Sequence, residues 1–174
     1  MMRHNIYARI SVGAVVCLLG VGLGVLAWAS ERTGAARLLP AGDGLEIEYQ
    51  LDGDRWTEII PIFRDGSHRY FSAGIGMAER QVAYPAFPLK IVLTAGGKPF
   101  VAHVDIHLVQ TNGPTTLSIP ADRVTGPWLF VDVPPGVYEI TGHRGEDRPR
   151  VRGVTVVVGR SQTAYVRFTE DRRP

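Results

Sequence analysis

The sequence predicts an all-β protein: a seven-stranded antiparallel β-sandwich with an extra amino-terminal hairpin, preceded by one apolar transmembrane or signal helix. Gly and Pro number 20 and 12 and recur along the chain after residue 29, which excludes long helices, bundles and coiled coils. Apolar and polar residues alternate over short runs, as in strands with one buried face. Turn sequences separate these runs at intervals of about 10 residues, which is typical of a sandwich or barrel.

The first 29 residues have the composition of a secretory signal or a membrane anchor. A short basic region with Arg3 and Arg9 is followed by residues 10–29, which carry no charge. Ala27-Trp28-Ala29 places small residues where signal peptidase cleaves, whereas a run of about 20 apolar residues is long enough to span a membrane. Cleavage after Ala29 and retention as a single-pass anchor therefore both remain open. Either alternative predicts that residues 30–174 lie in the periplasm or on the outer side of the cell membrane, because the arginines stay inside.

Charge and cysteine content restrict the function of the exported part. Lys plus Arg exceed Asp plus Glu by 19 to 17, and Arg3 and Arg9 account for the excess, so residues 30–174 are formally neutral. Neutrality argues against nucleic acid or an anionic membrane surface as the main partner. The only cysteine, Cys17, lies in the apolar segment, so the exported part has no disulfide, thiol nucleophile or thiolate metal site. We expect no cofactor.

A hairpin is predicted before the sandwich. Residues 30–44 are rich in Ala, Gly and Leu and are expected to form a linker. Residues 45–51 alternate perfectly, and Asp52-Gly53 is a favoured two-residue hairpin turn. A second apolar run at 56–63 completes the pair of strands. The sequence therefore predicts a hairpin extension over residues 45–69.

Seven apolar runs predict the strands of the sandwich, which we place at residues 70–170 with a tail at 171–174. The runs are 89–94, 100–108, 115–119, 128–133, 137–141, 151–158 and 163–169. Alternation within the second run places Val104 and Ile106 among the buried side chains. One short helix is expected before the first run, at residues 77–84.

The stretch Gly126-Pro-Trp-Leu-Phe-Val-Asp-Val-Pro-Pro-Gly-Val-Tyr-Glu-Ile140 resembles the L-P-P-G-x-Y-x-V hairpin of carboxypeptidase regulatory-like domains. The likeness extends back through Pro88-Leu-Lys-Ile-Val-Leu93 and Val101-Ala-His-Val-Asp-Ile106. Upstream, Tyr70-Phe-Ser-Ala-Gly-Ile-Gly-Met-Ala-Glu-Arg80 is similar to the Y-x-S-G-G-I-G-x-x-E-R lead-in of small exported bacterial proteins of this kind. The resemblance covers about Tyr70 to Phe168.

This resemblance implies a transthyretin-like (prealbumin-like) β-sandwich that serves as an accessory or binding module; most small free-standing domains of this kind have no assigned activity. One enzyme with that fold, the hydroxyisourate hydrolase, ends in Tyr-Arg-Gly-Ser and uses histidines near that end. The present chain ends in Glu170-Asp-Arg-Arg-Pro174 and its last histidine is His143, so that activity does not carry over. His143-Arg-Gly-Glu146 matches the His-x-x-Glu of metallocarboxypeptidases, but the third, downstream histidine is missing from the sequence.

His103, Asp105 and His107 form a candidate metal site. At positions i, i+2 and i+4 of a strand their side chains share one face. Neighbouring pairs would lie about 7 Å apart and could share a metal, whereas His103 and His107 would be about 13 Å apart and could not. A neighbouring strand would have to supply a third ligand that the sequence does not identify. The alternative is a solvated strand face on which these residues are merely polar.

Trp56 and a group of arginines are candidate partner-binding residues. An exposed indole suits the face of a sugar ring, although Trp56 and Trp128 are equally interpreted as core residues of a sandwich. A cluster near the carboxyl terminus could meet an anionic envelope polymer; it consists of Arg144, Arg148, Arg150 and Arg152. The alternative is a solvated loop and edge strand whose charges oppose aggregation.

Two functional hypotheses follow. The first is a non-catalytic module of the cell envelope that binds a protein or glycan partner and contacts the membrane through residues 10–29 if they are not cleaved. The second is a metal-assisted hydrolase centred on His103, Asp105 and His107. The first is favoured, because the second lacks a complete ligand set and an identifiable general base.

Overall fold

The computed structural model describes residues 34–51, 53–98 and 101–169, and these are mostly β-strand. The strands in chain order are β1 (Gly34–Leu38), β2 (Gly44–Leu51), β3 (Asp54–Pro61), β4 (Phe63–Asp65), β5 (His68–Ala73), β6 (Val82–Ala83), β7 (Leu89–Ala95), β8 (Asp105–Gln110), β9 (Thr116–Ile119), β10 (Trp128–Asp132), β11 (Gly136–His143), β12 (Arg150–Val156) and β13 (Gln162–Phe168). A helix, α1 (Met77–Gln81), and a short 3-10 helix, η1 (Ala121–Arg123), lie between them. The all-β prediction is confirmed.

The strands form three sheets. The central sheet has the order β13-β7-β10-β5-β4, the outer sheet β12-β11-β8-β9, and the amino-terminal sheet β3-β2-β1-β6. Each of the seven runs predicted between residues 89 and 169 overlaps one of the strands β7 to β13, although the run predicted at 100–108 overlaps β8 only from Asp105. The predicted total is nevertheless wrong, because the described residues form 13 strands in three sheets rather than a seven-stranded sandwich with one hairpin.

The sequence predicted a purely antiparallel sandwich, but the central sheet contains one parallel pair of strands. Strands β7 and β13 run parallel in register from Leu89 opposite Gln162 to Ala95 opposite Phe168. The reason is that the chain crosses from the outer sheet to the central sheet after β12, instead of returning beside β12 as a hairpin. The crossing brings β13 next to β7 in the same direction, although more than half of the sandwich separates them in sequence.

The main core lies between the central and outer sheets. Leu89, Ile91 and Leu93 of β7 are fully buried against the outer sheet's Leu108 and Ile140, which are also fully buried. The predicted burial of Val104 and Ile106 is confirmed, since both have 0% exposure. Tyr138 is buried in the same cluster, and its hydroxyl donates a 2.7 Å hydrogen bond to the carbonyl of Pro134. Regular alternation on β7, β8 and β11 therefore produces this core.

A second core lies on the opposite face of the central sheet. Leu45, Ile47 and Ile60 of the amino-terminal sheet pack there with Phe71 and Phe130, whose rings stack at a centroid distance of 4.5 Å. Among the described residues, β5 and β10 supply the central sheet's part of this cluster, and β7 and β13 supply none. The amino-terminal sheet therefore covers one half of the face.

Two of the predicted boundaries do not follow the strands. The linker predicted at 30–44 contains β1, which pairs with β2 and completes the amino-terminal sheet. The boundary between the predicted hairpin extension (45–69) and the sandwich (70–170) falls inside β5 (His68–Ala73). Alanine and glycine are depleted in strands and so suggested a flexible tether, but β1 pairs with β2 and β6 through backbone groups, which every residue except proline supplies.

The amino-terminal segment predicted at residues 1–29 and the tail at 171–174 lie outside the described residues. Within the part that the structure describes, no helix is long and apolar enough to cross a membrane. The short helix predicted at 77–84 is present as α1, which ends earlier because the chain extends into β6 at Val82.

Candidate functional site

The uncovered half of the central sheet carries a groove of about 460 Å³, which is within the size range of ligand sites. We call it the sheet groove. It is lined by Lys90, Val92, Thr94, Gly97, Trp128, Thr163, Tyr165 and Arg167. The parallel register places Lys90 beside Thr163 and Thr94 beside Arg167, so alternate residues of two strands face the same space.

Two cations and two aromatic rings define the chemistry of the sheet groove. The Nζ of Lys90 lies 3.6 Å from the ring centroid of Trp128, a cation–π contact. At the other side of the groove, the guanidinium carbon of Arg167 lies 5.8 Å from the ring centroid of Tyr165. Tyr165 is 49% exposed and presents its ring to solvent. None of the described residues that line the groove is acidic, so this part of the groove favours an anionic ligand.

The Trp128 indole is more enclosed than the ring of Tyr165. A Cβ added to Gly74 would lie 2.9 Å from the indole, so the backbone of Gly74 already contacts it closely. Because Lys90 also contacts the indole, Trp128 is a wall of the groove and Tyr165 is its exposed platform. Trp128 was predicted to be either a sugar-binding platform or a core residue. In the structure it is half-buried and packs against the second core.

Thr94 has a buried hydroxyl at the floor of the sheet groove. The residue is 4% exposed, and its Oγ1 has no hydrogen-bond partner among the described residues. An unsatisfied buried hydroxyl costs about 1–3 kcal/mol. The hydroxyl is beneath the surface of the groove, so its cost is one of stability.

Sequence reasoning did not identify this site. The polar members of β7, Lys90 and Thr94, were visible as the alternate positions of an apolar strand. Thr163, Tyr165 and Arg167 alternate in the same way on β13. The missing information was the pairing of β7 with β13, because neither strand alone has enough polar residues to suggest a site.

A larger cleft of about 550 Å³ lies at the opposite end of the sandwich, around the Pro134-Pro135 turn. Its walls are mainly apolar, with Phe87 and Val156–Val158 among them. The Asp132 carboxylate at its edge is already paired with Arg69, whose Nη2 lies 2.7 Å away. We favour the smaller sheet groove as the functional site, because its charged and hydroxyl groups converge on one space.

The predicted metal site is not supported by the geometry. His103 precedes β8 and has a positive φ of 54°, so it does not share a strand face with Asp105 and His107 as the spacing had predicted. The Oδ1 of Asp105 accepts a 2.9 Å hydrogen bond from the backbone N–H of Ala121. Among residues 34–51, 53–98 and 101–169, no group of three or more His, Cys, Asp or Glu is placed to hold a metal ion. The assumption of a regular strand through His103 was the error.

His107 contacts a histidine from the neighbouring strand. Its Nδ1 lies 3.0 Å from the Ser118 hydroxyl, and its ring centroid lies 4.9 Å from that of His143. Burial, the Arg148 charge and His107 together lower the pKa of His143, although Asp105 acts in the opposite direction. The folded state therefore favours the neutral imidazole of His143.

We expect His143→Gln to reduce the loss of stability in mild acid. A lowered histidine pKa means that the unfolded chain binds a proton more readily, so stability falls as the pH drops through the ordinary histidine range. The melting temperature of the parent should fall more between neutral pH and pH 5 than that of His143→Gln. His107→Gln, which removes one cause of the shift, should lie between them. Equal pH dependence in all three proteins would contradict the assignment.

The predicted partner-binding residues lie away from the sheet groove. Trp56 is on the edge strand β3 and is 51% exposed, so it is not a core residue. Arg150 and Arg152 on β12 both pair with Glu139, at N–O distances of 3.4 and 2.9 Å. The other two arginines of the cluster, Arg144 and Arg148, belong to the loop after β11. The charge of the cluster is thus partly neutralised by Glu139 of the neighbouring strand β11.

Comparison with known proteins identifies no relative. No family model, no curated protein and no solved structure matches the chain.

Proposed function

We propose that this chain is a non-catalytic module of the cell envelope, exported by its amino-terminal segment, which binds an acidic glycan in the sheet groove. The observation that carries the proposal is the convergence of Lys90, Arg167 and the exposed ring of Tyr165 on a groove without acidic residues. An aromatic face suits the apolar side of a sugar ring, and guanidinium and ammonium groups suit its carboxylates. The resemblance of the sequence to carboxypeptidase regulatory-like domains agrees with a binding role. Membership of that family is itself part of the proposal.

The spacing of the charged groups supports an extended ligand. Lys90 and Thr94 are four residues apart on β7, so their Cα atoms are separated by about 13 Å along the strand. Arg167 lies directly beside Thr94 on the neighbouring strand. A chain of a few sugar rings with repeated carboxylates could therefore meet Lys90 at one end and Arg167 at the other.

Binding of galacturonic acid oligomers tests the proposal, with neutral galactose oligomers as the matched ligands. We expect the acidic oligomers to bind and the neutral ones to bind at least tenfold more weakly, a difference of about 1.4 kcal/mol. Arg167→Gln and Tyr165→Ala should each weaken binding of the acidic oligomer by about tenfold or more, as measured by calorimetry. Arg160→Gln removes an exposed cation outside the groove and should leave the affinity unchanged.

Two outcomes would contradict the proposal. Equal affinity for neutral and acidic oligomers would remove the role of the cations. Binding of polyglutamate but of no sugar would assign the groove to an acidic protein segment, the other partner class that the sequence had left open.

Thr94→Val separates stability from binding. Removing an unsatisfied buried hydroxyl should raise the free energy of unfolding by about 1 kcal/mol, while the affinity for the acidic oligomer stays unchanged, because the hydroxyl lies beneath the surface of the groove. Thr163→Val changes an exposed hydroxyl of the same groove and should alter stability by less than about 0.5 kcal/mol. A loss of stability in Thr94→Val would show that the hydroxyl is already satisfied without a ligand.

A further inference from the structure

The chain enters the folded part at one end of the sandwich, which we call the helix end. Gly34, the first described residue, pairs with Val82, which directly follows α1. Ala35 pairs with Glu48 of β2, and the adjacent Tyr49 pairs with Trp56 of β3. The start of β1, the indole of Trp56 and the loop that precedes α1 are therefore all at the helix end.

Little chain separates the helix end from the predicted membrane segment. Residues 30–33 are all that lie between the apolar run 10–29 and Gly34. Because an extended chain spans at most about 3.5 Å per residue, the five steps from Ala29 to Gly34 span no more than about 18 Å. If residues 10–29 remain in the membrane as an anchor, the helix end must lie within that distance of the membrane surface.

Large exposed apolar side chains lie at both ends of the part that the structure describes, and those at the helix end include Trp56, Ile75 and Met77. Ile75 and Met77 lie on either side of Gly76, where α1 begins, and are 62% and 78% exposed, whereas Trp56 is 51% exposed. Several exposed apolar residues at one end can form an interaction surface, and the short tether selects this end over the opposite one, where Val157 and Val158 are exposed. Tryptophan is the residue that favours the boundary between headgroups and acyl chains, because its ring is apolar and its N–H is polar.

We propose that the helix end docks on the outer surface of the membrane that holds residues 10–29, with Ile75 and Met77 inserted between the headgroups and Trp56 at headgroup level. The proposal rests on retention of the apolar segment as an anchor. Its occupant is the lipid surface, because the short tether holds this end against the membrane whatever else the protein binds. Since residues 30–174 are formally neutral, the docking is apolar and does not require anionic lipid.

The test uses the full chain with Trp28→Phe, so that tryptophan emission comes from Trp56 and Trp128 only. The protein is reconstituted in phosphatidylcholine vesicles with and without bromine on the acyl chains, and the emission of the same protein with Trp56→Phe is subtracted. We expect brominated lipid to quench most of the Trp56 emission and aqueous iodide to quench little of it. Raising the salt concentration should not change this result.

Paired substitutions identify the residues that hold the helix end on the lipid. Ile75→Asp together with Met77→Asp should abolish the quenching by brominated lipid and make Trp56 accessible to iodide. Val158→Asp, at an 84% exposed apolar residue of the opposite end, should change neither measurement. Circular dichroism melts of all variants establish that they are folded.

Four results would overturn the inference. An amino terminus at Ser30 in the mature protein would show that the anchor is removed. Quenching of the parent by iodide but not by brominated lipid would place Trp56 in water. Protection from both quenchers would mean that a protein surface covers Trp56. Quenching that is lost at high salt would also overturn it, because the contact would then be electrostatic. None of these results depends on whether the sheet groove binds a glycan.

Discussion

Replacement of Phe71 with alanine should lower the free energy of unfolding by about 3–5 kcal/mol, the usual cost of removing a fully buried aromatic ring. Phe71 has 0% exposure and lies on the central sheet beneath the amino-terminal sheet. Its ring stacks on Phe130 at 4.5 Å and contacts Phe87 edge-on at 5.0 Å. Because Phe71 and Phe130 are directly paired across two hydrogen-bonded strands, the backbone cannot collapse into the space that the ring leaves.

Chemical denaturation of Phe71→Ala measures this cost, and Tyr165→Ala is the matched control on the same sheet. Tyr165 is 49% exposed, so its truncation should change stability by less than about 0.5 kcal/mol. The control also establishes that a loss of ligand binding in Tyr165→Ala is not a loss of folding. A cost below about 1 kcal/mol for Phe71→Ala would mean that the amino-terminal sheet does not pack on the central sheet as described.

Glu79→Ala should destabilise the protein by about 2–4 kcal/mol, because it leaves two backbone donors without an acceptor. The Glu79 carboxylate is 8% exposed, and its Oε2 accepts hydrogen bonds from the N–H groups of Gly74 and Ile75, at 2.6 and 3.3 Å. The loop that presents Ile75 at the helix end is therefore held by one buried acid. Burial raises the pKa of Tyr84, and the negative charges of Glu79 and Glu58 raise it further.

Glu79→Gln distinguishes the hydrogen bonds from the charge. The glutamine keeps an acceptor oxygen at the same position, so we expect it to cost less than half of what alanine costs in thermal or chemical denaturation. If both substitutions destabilise equally, the negative charge rather than the acceptor holds the loop. If neither does so, the carboxylate is not the support of Gly74 and Ile75.

Much of the secondary structure was predictable because it depends on neighbours in the sequence. Perfect alternation in residues 45–51 and the Asp52-Gly53 turn predicted the β2–β3 hairpin, which is present. The burial of Val104 and Ile106 followed from the same period of two. The prediction that failed, His103 on the face of a strand, assumed that the period continues across a residue whose φ of 54° interrupts it. A single backbone conformation of this kind leaves no mark in an alternation pattern.

The candidate site was less predictable than the strands that carry it. Its members lie on β7, β10 and β13, and no local motif connects them. The sequence did single out His103, Asp105 and His107, because they lie close together along the chain. Proximity in sequence made them candidates, whereas proximity in space brought Lys90 together with Arg167 across a parallel pair of strands.

The sequence by itself determined where most strands run, which side chains of each strand are apolar, and that the chain is all-β. These properties follow from the alternation of a pleated strand and from turn residues, which act over a few positions. Only the tertiary structure decided that β13 lies parallel to β7, that β4 and β5 join the central sheet, and that β1 builds a third sheet. Every strand offers the same backbone donors and acceptors, so hydrogen bonding alone does not decide which strands become neighbours. That choice depends on how whole apolar faces pack together. That packing covers β5 and β10, leaves β7 and β13 open, and so creates the sheet groove.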